Sequence, residues 1–163
     1  MSITPEEDER FKTAVKTSRN EVRAVEAYFR GRGYKTELAP ERIRQNFEDR
    51  AEYGDDADLF VTVGSGKRVG IEVKGRTLNF TSVADFPYPT LFVDRVAKVE
   101  RSTVGYYISV NEGHTHMAVI VASTKDQWVK REQYDSVKKH KLFVYECPKH
   151  LVKFVQLNVG SKL

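Results

Sequence analysis

Apolar positions recur along the chain with two different periods. From about Pro5 to Arg32, the residues Phe11, Val15, Ser18, Val22, Val25 and Phe29 follow at spacings of four, three, four, three and four. That is one face of a helix. Thr4 before Pro5, with Glu7 three residues on, predicts a capping box, and Gly31 and Gly33 predict the stop. Tyr34–Leu38 then reads as a short strand ended by Pro40, and residues 41–56 as a second short helix or an ordered loop. Further on the period falls to two. Leu59–Val63 and Arg68–Lys74 are strands joined across Gly64-Ser65-Gly66, and Tyr106–Val110 and Met117–Ala122 are a second hairpin across Asn111-Glu112-Gly113. Residues 77–103, with Pro87 and Pro89, carry no clear period. Ser123 or Thr124 is expected to cap a helix to about His140, before strands at Leu142–Glu146 and Leu151–Leu157. Helix, strands, helix, strands predicts an α/β (α+β) domain, a mixed sheet flanked by helices, spanning residues 1–163 as one unit.

The alternation in the first hairpin also predicts its register. Val69, Ile71 and Val73 share a face with Leu59, Val61 and Val63 only if paired residue numbers sum to an even value. The connection is then three or five residues long, and Asp58 falls opposite Glu72 or Lys74. A slip by one would put Asp58 on the apolar face. Two carboxylates and an ammonium therefore meet on the polar side.

Composition narrows the class. Hydrophobic residues are 40% and charged residues 31%, which excludes a disordered or collagen-like chain. The strongest apolar run, Met117 to Ala122, is far shorter than the roughly 20 residues that span a bilayer. Glu6, Glu7, Asp8 and Glu9 stand where a secretory signal would be basic and then apolar, and Cys147 has no second cysteine to pair with. A cytoplasmic protein without a membrane partner is expected. The net charge of +4 is uneven: residues 125–163 hold 9 Lys/Arg against 4 Asp/Glu, the remainder 18 against 19. A basic C-terminal quarter, including Lys138 and Lys139, suits a polyanion such as nucleic acid.

Asp58, Glu72 and Lys74 have the chemistry of phosphodiester hydrolysis. Two adjacent carboxylates repel unless a cation or a proton sits between them. Mg²⁺ (or Mn²⁺) takes hard oxygen ligands from one or two carboxylates, water and phosphate. A lysine on the same face can orient the attacking water or offset charge on the reacting phosphate. Other clusters are weaker. The acidic run from Glu48 to Asp58 lacks EF-hand spacing, with Asp56 a fallback ligand, and His114 and His116 lack further zinc ligands nearby. Gly64-Ser65-Gly66-Lys67 opens a strand, where a phosphate loop would open a helix.

Asp58, thirteen intervening residues, then Glu72-Val73-Lys74 on the second strand of a hairpin resembles the PD-(D/E)XK nuclease superfamily, over roughly residues 15–76. The resemblance implies a restriction-endonuclease-like fold and a Mg²⁺-dependent DNA endonuclease. In it Asp58 and Glu72 bind metal, the Val73 carbonyl is a further ligand, and Lys74 assists the attacking water. Many members carry a glutamate on the first helix. Glu21 fits the family's spacing, although Glu21 and Glu26 flank the apolar stripe equally. Ala57 stands where the family has proline. Lys67, Arg68, Arg76, Lys138 and Lys139 are candidate phosphate contacts. The DNA partner is duplex or branched, and a homodimer stays open. The alternative is a catalytically inactive nuclease-fold module that binds nucleic acid or a protein partner, and behind it an unrelated α+β interaction domain.

Overall fold

The computed structural model describes residues 18–39, 57–135 and 139–157. The expected capping box at Thr4–Glu7, the element expected at 41–56, the acidic residues there and Lys138 lie outside them.

The first helix, α1 (Ser18–Gly31), buries Val25 completely. It ends as its glycines require. The Gly33 N–H bonds to the Arg30 carbonyl and the Tyr34 N–H reaches back to Phe29, with Gly33 at φ +89°. This is a Schellman closure, and the Phe29 and Tyr34 rings supply its apolar contact at 5.8 Å.

The strands are β1 (Lys35–Leu38), β2 (Leu59–Thr62), β3 (Arg68–Gly75), β4 (Thr90–Arg95), β5 (Tyr106–Val110), β6 (His116–Val121), β7 (Val129–Asp135), β8 (His140–Pro148) and β9 (Lys153–Gln156). A short helix, α2 (Val96–Arg101), follows β4. Six strands form a mixed sheet in the order β1-β2-β3-β5-β6-β9, with β3 and β5 parallel and the other neighbours antiparallel. The parallel pair demands a crossover, and residues 76–105 supply it through β4 and α2. Strand β4 leaves for a second antiparallel sheet, β4-β8-β7.

The two faces of the large sheet pack differently. Leu59, Val61, Ile71, Val73, Ile108 and Val110 pack under α1. On the other face, Tyr107, Ala118 and Ile120 pack with Leu91, Val93, Tyr145 and Cys147 of the small sheet and with Phe80, Phe86 and Trp128. The sheet expected to be flanked by helices is therefore covered by a helix on one face and by strands on the other. Cys147 lies fully buried there, and burial pushes its thiol up to about 11.

The first hairpin has the register that the alternation demands. Leu59 stands opposite Ile71 and Thr62 opposite Arg68, across the five residues Val63–Lys67. Gly66 turns the chain at φ +86° with nothing near its missing Cβ, so a side chain there meets only backbone strain. Gly66→Ala is expected to cost roughly 1 kcal/mol, measured as a shift in the urea midpoint at unchanged slope.

The helix expected from Ser123 or Thr124 to His140 is not formed. Residues Ala122–Gln127 make a 3₁₀ turn and Val129–Asp135 is strand β7, paired with β8 from Val129↔Glu146 to Asp135↔His140. Lys130, Arg131, Glu132 and Gln133 have good helix propensity but offer no apolar stripe to hold a helix down, so the ladder with β8 wins. Thr124 takes a different role from the one its sequence suggests. Its hydroxyl donates to the Val121 carbonyl at 2.7 Å and accepts from the Trp128 indole at 2.9 Å. That fixes Trp128 between Tyr107 and Tyr145. Among the described residues, no helix is long and apolar enough to cross a membrane.

Candidate active site

Strand β2 begins one residue after Asp58, and this early start creates the site. The Asp58 N–H donates to the Ile71 carbonyl, while its carboxylate Oδ2 accepts the Val73 N–H at 2.9 Å. The side chain thus takes the place a longer β2 would have filled. Odd-numbered residues of β3 turn their backbone groups toward β2, as these two bonds show, so the Val73 carbonyl leaves on the same edge, past the end of β2. Glu72 and Lys74 alternate onto the other face of β3, beside Tyr107 and Ser109 of β5.

Two further residues complete the cluster, and the sequence reading missed both. Asp94 is the penultimate residue of β4 and Lys98 lies in the first turn of α2. Lys74 Nζ is 3.2 Å from Glu72 Oε2 and 3.1 Å from Asp94 Oδ2. Lys98 Nζ is 2.9 Å and 3.2 Å from the same two oxygens. The four groups close a ring in which charge alternates and each carboxylate touches both ammoniums. Glu72 and Asp94 are buried, at 6% and 4% exposure, a state that carboxylates reach only when paired. A signal for the second pair was present: a charge directly after Leu91-Phe92-Val93, with an opposite charge at i+4. Without a period in residues 77–103, nothing tied that pair to the hairpin.

The ring shapes the titration of its members. Burial and the Glu72 charge push the Asp58 carboxyl up to about 7, against the pull of the Val73 N–H, Lys98 and Lys74. Burial acts on Asp94 in the same sense, but Lys74, Lys98 and the Arg95 N–H outweigh it and hold that carboxyl below its usual range. Asp58 is therefore the carboxylate still short of positive charge.

Glu21 is buried on α1, on the opposite face of the large sheet. One of its oxygens pairs with Nε2 of His114, in the turn after β5, and the other has no hydrogen-bond partner among the described residues. This puts Glu21 at the carboxyl end of β3 and β5, the end that carries Asp58 and Lys74. Glu26 instead accepts the Thr36 hydroxyl of β1, so the structure separates two residues that helix geometry left equivalent. The described polar contact of Glu21 is nonetheless with His114, not with Asp58, Glu72 or Lys74.

The expected phosphate contacts divide. Lys67 and Arg68 lie at the opposite end of the hairpin from Asp58. Arg68 is four residues before Glu72, roughly 13 Å along a strand. It pairs with Glu37 at 3.0 Å and stacks on Phe60. Arg76 braces β3 against β4, donating to the Phe92 carbonyl at 2.7 Å and to the Ser109 hydroxyl at 3.2 Å. Lys139 is exposed in the β7–β8 turn, on the small sheet.

The donor set has the character that a divalent cation requires. Asp58 and Glu72 supply hard oxygens, the raised Asp58 carboxyl marks a local deficit of positive charge, and the Val73 carbonyl is aimed past the end of β2. These fit Mg²⁺. Among the described residues no group of three or more His, Cys, Asp or Glu forms a cage. A cation here would complete its shell with water and phosphate oxygens. Comparison with protein-family models, curated proteins and solved structures finds no match for the chain.

Proposed function

We propose that this chain is a metal-dependent DNA endonuclease on a restriction-endonuclease-like fold. One observation carries the reading: Asp58, Glu72 and Lys74 converge at the open end of the β2–β3 hairpin, with Asp58 short of positive charge. The order of elements supports it as well. A helix precedes three antiparallel strands, and a crossover then returns a fourth strand parallel to the third.

Asp58 and Glu72 would hold the cation, with the Val73 carbonyl beside them. A bound Mg²⁺ would supply an activated water and offset charge on the scissile phosphate. Lys74, which Asp94 also holds, would orient the attacking water and meet the developing negative charge. Asp94 thus positions Lys74 and takes no part as a ligand. The basic β7–β8 turn, through Lys139, offers duplex DNA a sequence-independent contact.

The ring also favours a second reading. Two ammoniums already neutralise Glu72 and Asp94, which suits a module that binds nucleic acid without cutting it. A cleavage assay on supercoiled plasmid and branched DNA in Mg²⁺, Mn²⁺ or EDTA separates the two. The expected result is metal-dependent cutting that Lys74→Ala lowers by at least roughly 100-fold. Salt-sensitive binding with no cutting in any metal would leave the binding module.

A further inference from the structure

Lys98 has no counterpart in the hairpin motif, yet it is placed as intimately as Lys74. It lies closer to Glu72 than Lys74 does, 2.9 Å against 3.2 Å, and it reaches the site from a helix, α2, in a different stretch of chain. A structural staple between β4 and β3 does not need it, because Arg76 already ties the two strands through the Phe92 carbonyl. Two ammoniums balance the two buried carboxylates, and Asp94 touches both of them, so it holds both whatever Glu72 does.

We infer that Lys98 is a second phosphate-contacting cation of the site. With Glu72 engaged by a divalent cation, Lys98 and Lys74 would stay side by side on Asp94 and bind the non-bridging oxygens of the scissile phosphate. The inference rests on the nuclease reading and assigns a substrate contact within it. It has a consequence that a staple would not have. An ammonium on Glu72 opposes a metal ion there, so Lys98 weakens metal binding while it strengthens phosphate binding.

The test uses Lys98→Met and Lys98→Arg in the full chain. Mn²⁺ affinity is measured by electron paramagnetic resonance, affinity for a short DNA duplex in EDTA by fluorescence anisotropy, and cleavage under single turnover. Lys98→Met should bind Mn²⁺ on the order of tenfold more tightly, bind duplex more weakly, and cleave roughly 10- to 100-fold more slowly. Lys98→Arg should recover most of the rate. Parallel loss of Mn²⁺ affinity, duplex affinity and melting temperature would make Lys98 a staple and overturn the inference. So would wild-type cleavage by Lys98→Met, with the nuclease reading left standing. A wild type that neither binds Mn²⁺ nor cuts defeats the nuclease reading itself, and the inference with it. If Lys98→Met does not fold, the charge-balanced pair Asp94→Asn/Lys98→Met serves instead. Slower cleavage by that variant than by Asp94→Asn alone supports the inference, and equal cleavage overturns it.

Discussion

Glu72→Gln is expected to abolish DNA cleavage and to weaken divalent-metal binding by at least roughly 100-fold, more than loss of an outer-shell partner costs. The substitution keeps the shape of the side chain and removes its charge. Glu72 is one of two carboxylates that the site can offer a cation, and a neutral amide oxygen is a poor exchange for one. The two ammoniums would then face Asp94 alone, and their excess positive charge further repels the metal. A second readout does not depend on activity. The Glu72 charge is one of the two causes that raise Asp58, so the Asp58 carboxyl should titrate below about 7 in the variant. Carbonyl-detected NMR of the metal-free protein checks this, and calorimetry with Mg²⁺ or Mn²⁺ checks the affinity. An unchanged metal affinity would remove Glu72 from the site.

Asp58→Asn is expected to trade function for stability. The amide oxygen can still accept the Val73 N–H, so the edge of the hairpin is kept. The effect on stability depends on pH. In the folded protein Asp58 titrates at about 7, in the unfolded chain at about 3.8. Between those values the folded state holds a proton that the unfolded state has released, so stability falls as pH rises across the interval. The contribution is fully present below the unfolded value and is lost as pH passes 7. At pH 8 the wild type bears a buried charge that the variant lacks. Asp58→Asn should be more stable there by on the order of a few kcal/mol, and little different at pH 4. Thermal melts in EDTA at the two pH values test this. A pH-independent difference would mean that burial does not raise Asp58. With metal present the order should reverse, because a cation stabilises only the protein that binds it.

Both predictions concern residues visible in the sequence, and the hairpin explains why. A strand with one buried face tolerates no slip, since moving by one residue exposes Leu59, Ile71 and Val73 together. A connection of three or five residues, with Asp58 opposite Glu72 or Lys74, follows from that alone, and the structure takes the five-residue connection with Leu59 opposite Ile71. The end of α1 was legible for a similar reason, because a left-handed residue after a helix calls for glycine and Gly33 is there. What failed was the helix expected after Ser123. Its polar residues satisfy local propensity for a helix, while the strand they form depends on β8, itself placed by β4.

Local patterning alone sets the parity of the first hairpin's register, the polar side on which Asp58, Glu72 and Lys74 gather, and the place where α1 stops. These depend on periodicity and on backbone conformations that few residues can adopt, and both are local. Tertiary packing alone brings Asp94 and Lys98 into the site, turns Glu21 to His114, and sets Lys67 and Arg68 at the far end of the hairpin from Asp58. Lys98 meets Glu72 across 26 positions, and His114 meets Glu21 across 93. Such contacts form only when separate elements pack. The reason they form is the cost of burying a charge without its partner, which no single segment can reveal.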